Sequence, residues 1–266
     1  MTPAVRELTW WWLDTLLLTG RSVRRTFRTP DTIFTMTAMP VIFFVFFGYV
    51  LGGMMRPPGQ DYPTYLFPGL LVATITFSTM PAVIAAVSAD LRSGITDRFR
   101  ALPTSPSAVL TGRTAADGAR NIIGIVVLVL LGAITGIDLT ALGFGRAVAA
   151  LALLLLYGFA MAWIAAFLAV VTRGGEAAQM IGTAVSGPLG FISSLYATPE
   201  SMPSWLRIFA EHNPASHTGD ALRAWLAGQP AGASPWYSAA WLVGIIAVLG
   251  WLTARRFRRT TARPPE

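Results

Sequence analysis

The side chains able to do chemistry are few, and their placement excludes more than it offers. His212 and His217 are the two histidines, and they stand near Glu211 and Asp220. That grouping could be sketched as a metal site, but its spacing matches no ligand motif. Ordinary loop hydrogen bonds are the simpler expectation, so no metal and no catalytic residue is assigned. No serine sits in a Gly-x-Ser-x-Gly elbow, which removes the usual acyl-transfer arrangement. Cysteine is absent, so disulfides, thiolate metal sites and cysteine nucleophiles are excluded. Lysine is absent too. A Walker A loop needs a Lys to reach the β- and γ-phosphates, so any ATP-driven work requires an ATP site on another polypeptide. The chain is not expected to be an enzyme or to hold a cofactor of its own.

The remaining charges explain where the chain sits. Of the 266 residues, 54% are hydrophobic and 12% charged, with a mean hydropathy of +0.57; soluble domains carry about a quarter charged residues. A bilayer can hold that much apolar sequence. The net charge of +7 comes from arginines clustered in short stretches between apolar runs, not along one helix face as a nucleic-acid footprint requires. Asp90, Asp117, Asp138, Glu176 and Glu200 all fall at the ends of those runs or between them. A proton relay or ion site would place carboxylates inside the runs, so a secondary carrier is disfavoured. An intramembrane enzyme lacks its polar cluster for the same reason.

A hydrocarbon core about 30 Å thick needs roughly 20 apolar residues in a helix. Six stretches qualify: Ile33–Gly53, Tyr65–Ala89, Asn121–Ile137, Ala147–Thr172, Ala177–Thr198 and Trp236–Ala254. The apolar run Leu8 to Leu18 contains Asp14 and leads into Arg21, Arg24 and Arg25 rather than a cleavage site, so it is expected to be retained. With both termini in the cytoplasm, sixteen of the twenty arginines are inside and only Arg56, Arg146, Arg207 and Arg223 outside, as the positive-inside rule requires. The expected fold is therefore all-α: one transmembrane domain over 1–266, multi-pass in a bacterial cytoplasmic membrane.

Three segments outside the spans carry pattern. In residues 16–28, Leu16, Val23 and Phe27 share a face opposite Arg21, Arg24, Arg25 and Arg28. This predicts an amphipathic helix lying in the cytoplasmic interface. In the loop 90–120, Asp90 is placed to N-cap a short helix whose stripe is Leu91, Ile95, Phe99 and Leu102, ended by Pro103. From 199 to 235, Pro203, Trp205, Ile208 and Phe209 belong to one short helix and Asn213-Pro214 opens another. Ser186-Gly187-Pro188 predicts a kink or break in the fifth span, continued by short helices partly embedded on the outer face as an outer gate. Gly48/Gly52 and Gly132/Gly136 have the spacing of close helix contacts.

The run Asp90-Leu-Arg-Ser-Gly94-Ile-Thr-Asp97-Arg98-Phe-Arg-Ala-Leu102-Pro103 resembles the loop after span two in permeases of the type-2 ABC exporter family, daunorubicin/multidrug-resistance class. Gly112-Arg113, Asp117 and Asn121 continue the similarity, as do Pro203-Ser-Trp205-Leu206, Asn213-Pro214 and Asp220-Ala-Leu-Arg223. The resemblance implies a half-transporter. Two six-span permeases, alike or different, pair with two copies of a separate ATP-binding subunit that holds ATP and Mg. It also implies a path between the permeases lined by spans one, two and five. On that basis Asp90, Leu91, Arg92, Gly94, Ile95, Asp97, Arg98, Phe99 and Arg100, assisted by Arg24, Arg25 and Arg28, are expected to meet the ATP-binding subunit. Phe43, Phe44, Phe47, Phe77, Met80 and Phe191 are candidate path residues. Pro203, Trp205, Asn213, Pro214, Asp220 and Arg223 are candidate outer-gate residues. The implied cargo is a drug, antibiotic or lipid-like amphiphile, with a polysaccharide or glycolipid as the alternative.

Overall fold

The computed structural model describes residues 38, 40–50, 62–92 and 106–260; in the last stretch side chains are described at 118, 120–253, 255 and 256. Every regular element among them is helical. Helix α1 (Pro40–Val50) closes in a π-helical turn over Phe46–Val50. It is followed by α2 (Tyr62–Arg92), α3 (Pro106–Ile134), α4 (Gly143–Val171) and α5 (Gly175–Phe191). Then come two short helices, α6 (Ser204–His212) and α7 (Pro214–Leu226), and the last long one, α8 (Ser234–Thr260). Among the described residues, three helical stretches are long and apolar enough to cross a membrane: Tyr62–Arg92, Thr140–Val171 and Ser234–Thr253. Pro40–Val50 and Arg120–Ile134 are apolar but shorter.

Helix α2 is the centre of the bundle and packs against α3, α4, α5 and α7. At 31 residues it is about 46 Å long, more than the roughly 30 Å of a hydrocarbon core. Helices in lipid gain little by trading lipid tails for one another, so close fit and hydrogen bonds must hold them. The sequence supplies both. Ala160, Ala162, Ala165, Ala166 and Ala169 are fully buried on α4, and these small side chains let the backbones approach. Between them run two polar ties: the Thr76 and Tyr157 hydroxyls are 2.7 Å apart, and Thr79 donates to Asn121 Oδ1 at 3.1 Å. On α3, Ile122, Val126, Leu130 and Ile134 are exposed at four-residue spacing, one aliphatic stripe suited to lipid.

Several expectations need correcting. Asp90 is not an N-cap; it lies in the last turn of α2, which continues to Arg92. The helix does not break at Ser186-Gly187-Pro188. It runs through Pro188 to Phe191 and stops there, so residues 192–198 of the expected fifth span are not its continuation. The helix that holds the expected third span begins earlier, at Pro106, with its apolar stretch over Arg120–Ile134, and Asn121 packs beside Thr79 near the middle of α2. Gly132 faces the ring of Phe67, 2.7 Å from where its Cβ would stand, but Gly136 has φ +85° in the turn after α3, so the pair is not one contact surface. Gly52, the amphipathic segment 16–28 and the stripe residues Ile95, Phe99 and Leu102 lie outside the described residues.

Candidate functional site

Three helices converge on a ring of aromatic side chains. Phe43 and Phe47 are one turn apart on α1 and meet edge to face at 6.0 Å between centroids. Phe43 meets Phe77 of α2 at 5.9 Å, Phe77 meets Phe191 at the end of α5 at 5.0 Å, and Phe191 stacks on Tyr196 at 5.7 Å. Tyr196 closes the ring on Phe47 at 4.6 Å. Aromatic pairs in such offset or edge-on arrangements are worth about 0.5–1.5 kcal/mol beyond area burial. Gly190 makes room: a Cβ there would lie 2.5 Å from the Phe77 ring. Phe191 keeps 51% of its surface exposed, so the cluster has an open side. The Tyr196 hydroxyl is buried and has no hydrogen-bond partner among the described residues. Chemically this is an apolar, polarizable wall with one unused polar atom. Phe44 and Met80 are not members of the ring: Phe44 is buried in the core against which Phe43, Phe47 and Phe77 pack, and Met80 packs with Ala162, Ala165 and Ala166 in a second cluster.

Beside the ring, at the Tyr62 end of the bundle, Arg223 of α7 ties three segments together. Its guanidinium donates to Asp220 Oδ1 at 2.6 Å, to the Ser194 carbonyl at 2.6 Å and to the Leu195 carbonyl at 3.1 Å. Its Nε donates to the Tyr65 carbonyl at 3.0 Å, and its Cζ lies 4.0 Å from the Tyr65 ring centroid. The Tyr65 hydroxyl donates to the Ser194 carbonyl at 2.8 Å and the Tyr62 hydroxyl to the Tyr196 carbonyl at 3.1 Å. Backbone carbonyls that leave a helix inside a membrane must find donors; here one Arg and two Tyr supply them. Gly69 lets this turn lie against α2, because a Cβ there would collide with the Leu195 carbonyl.

Asn213 performs the same service in both directions. Its side-chain amide donates to the Leu189 and Ile192 carbonyls at 3.0 and 2.9 Å, capping the end of α5. Its Oδ1 accepts from the Ala215 amide at 2.9 Å, capping the start of α7 with Pro214 in the first turn. Asn213, Pro214, Asp220 and Arg223 are thus brought together. Pro203 and Trp205 are not part of that network; they begin α6, where Trp205, Ile208 and Phe209 are exposed. His212 Nδ1 pairs with the Ile208 carbonyl at 2.9 Å, and His217 stacks on Tyr237 at 5.7 Å. No group of three metal-ligating side chains occurs among the described residues. Burial lowers the His217 pKa below the usual histidine range, with Asp220 opposing and His212 adding to the shift.

At the opposite end, Asp90 and Leu91 are half-buried, and Arg92 is exposed with its Nε donating to the Ser88 carbonyl at 3.3 Å. Leu91 packs on the second apolar cluster. Gly94, Ile95, Asp97, Arg98, Phe99 and Arg100, with Arg24, Arg25 and Arg28, lie outside the described residues.

A sequence profile described as ABC-2 type transporter matches residues 14–226. The chain belongs to the ABC-2 type transporter family. It is similar to the daunorubicin resistance ABC transporter permease protein DrrB1 of Streptomyces coeruleorubidus, 31% identical over 236 residues that cover 88% of this chain and 82% of that one. It is also 26% identical over 256 residues to the probable doxorubicin resistance ABC transporter permease protein DrrC of Mycobacterium tuberculosis, covering 93% of this chain and 89% of the relative. In this ABC-2 permease, Tyr62, Tyr65, Ser194 and Tyr196 are site residues that sequence reasoning missed. Only Tyr62 and Tyr65 left a signal, as paired tyrosines at the head of an apolar run, where amphipathic rings favour the membrane interface.

Proposed function

We propose that this permease is the membrane half of an ATP-driven exporter that moves a drug, antibiotic or lipid-like amphiphile out across a bacterial cytoplasmic membrane. The observation that supports it most is the aromatic ring of Phe43, Phe47, Phe77, Phe191 and Tyr196, assembled from three helices and the turn after α5 and open at Phe191. A mainly apolar wall without an acidic or basic side chain suits an amphiphile better than a sugar polymer or a coupling ion. The named relatives are daunorubicin and doxorubicin resistance permeases, which agrees with that chemistry.

In this reading the bundle has six spans, with α1 in the first and α5 in the fifth, and both termini are cytoplasmic. The Tyr62 end then faces outward. Arg223, Asp220, Asn213 and Pro214 hold the outer gate, while Pro203 and Trp205 sit on an interfacial helix. A second permease, identical or related, covers the open side of the ring. Helix α5 supports this, since its exposed surface mixes Met180, Thr183 and Ala184, unlike the uniformly aliphatic stripe of α3. Two copies of a separate ATP-binding subunit supply the energy. They dock on Leu91, Arg92 and the following Gly94, Ile95, Asp97, Arg98, Phe99 and Arg100, with Arg24, Arg25 and Arg28 alongside. Docking must differ between the ATP-closed and open states for ATP to bias the permease.

The test is Gly94→Trp in the reconstituted complex. Membrane insertion should persist while ATP-dependent efflux is lost. Wild-type efflux from that variant contradicts the docking assignment.

A further inference from the structure

Helix α5 carries Phe191 to the aromatic ring, and its position is set by α2 at four levels. At the coupling end, Ser88 is buried and its Oγ accepts from the Gly175 amide, the first of α5, at 3.1 Å. About one turn further, Gln179 Nε2 donates to the Pro81 carbonyl at 3.1 Å. Gly182 receives the Ile84 side chain so closely that a Cβ there would have to displace its terminal methyl. At the ring itself Phe77 lies over Gly190. The antiparallel pair is thus fastened from Ser88 to the site.

The link from α4 into α5 is of a different kind. Arg173, Gly174 and Gly175 have φ of 60°, 77° and 81° in succession, a left-handed run that β-carbons disfavour. A Cβ on Gly174 would lie 2.9 Å from Ser88 Oγ and 3.0 Å from Ser88 Cα. The turn is therefore pressed backbone to backbone against Ser88, four residues from Arg92, whose Nε bonds the Ser88 carbonyl. We propose that Ser88 is a positioning residue that keeps α2 and α5 in register through the transport cycle, so that a push on the Asp90–Arg92 end arrives at Phe77 and Phe191 together. This rests on the exporter reading above. A residue that only capped a helix would stabilise α5 without fixing the relation between hydrolysis and transport.

The absence of cysteine makes the motion directly measurable. In the full complex with its ATP-binding subunit, spin labels go on Ala85→Cys and Ala177→Cys, both exposed positions on the two helices. The distance between them should stay within about 2 Å between nucleotide-free and ATP-trapped states, the scale of helix shifts in switching proteins. A larger change overturns the proposal. Independently, Ser88→Ala should lower substrate exported per ATP hydrolysed by about two- to thirty-fold, and Ser88→Thr, which keeps the hydroxyl, should recover it. An unchanged ratio in Ser88→Ala overturns it too. ATP-dependent export by the unmodified complex is measured first, so failure of the exporter reading would be seen separately.

Discussion

The guanidinium of Arg223 lies 4.0 Å from the centre of the Tyr65 ring while its Nε donates to the carbonyl of the same residue. One side chain on a short helix thereby holds both the ring and the carbonyl of a residue 158 positions away. Its remaining donors hold Ser194 and Leu195, which follow the end of α5. Arg223→Lys keeps the charge but cannot reproduce the planar fork. It should destabilise the detergent-solubilised protein by about 1–3 kcal/mol, since buried carbonyls lose donors. A thermal-unfolding series of Arg223→Lys against wild type checks this. Unchanged stability would mean that the fork is not what holds the turn.

Asn213→Asp separates the two caps. An aspartate can still accept from the Ala215 amide, but it cannot donate to Leu189 and Ile192. Helix α7 should be kept while the end of α5 frays. Hydrogen exchange should rise at Ile192–Leu195 and remain as in wild type at Ala215–Thr218.

Two glycine-to-alanine changes should have opposite signs. At Gly69 the new methyl meets the Leu195 carbonyl, which is backbone and cannot move aside cheaply. The cost should be about 1–3 kcal/mol. At Gly118 nothing lies within 4 Å, so alanine should stabilise by up to about 1 kcal/mol through helix propensity. Melting temperatures of the two variants in one detergent decide the matter.

The short helices should weaken as the solution around them becomes acidic. Burial holds the folded His217 pKa below its unfolded value. As pH falls below the ordinary histidine range, about 6.5, the unfolded chain takes up a proton that the folded chain refuses. Stability is then complete above that range and declines toward the lowered folded pKa. His217→Gln should remove this part of the pH dependence, read from melting temperatures between about pH 5 and 8.

Much of the architecture is legible in the residues because length and composition determine what can cross a bilayer. The runs around Phe77, Tyr157 and Leu242 stand out on that basis alone, and all three lie in helices long enough to span. The end of α5 was not legible. Pro188 is the obvious breaker, yet the helix continues past it to Phe191, where its last carbonyls find Asn213, 21 and 24 residues further along. A cap so distant leaves no local signal. The candidate site was legible in kind rather than in membership. Phe43 and Phe44 are neighbours of one type, but the rotation of α1 turns the first to the ring and the second into the core. Asp220 and Arg223 could be paired from their i,i+3 spacing, whereas Tyr65 could not be joined to them without the fold.

The most direct measurement is export from liposomes holding this permease with and without its ATP-binding subunit. An apolar dye or drug is enclosed together with ATP, and efflux is followed from liposomes in which the Arg92 end faces the lumen. The account predicts efflux only when both proteins and ATP are present, reduced several-fold by Phe77→Ala or Phe191→Ala. Efflux by the permease alone, driven by a proton or sodium gradient, would contradict it.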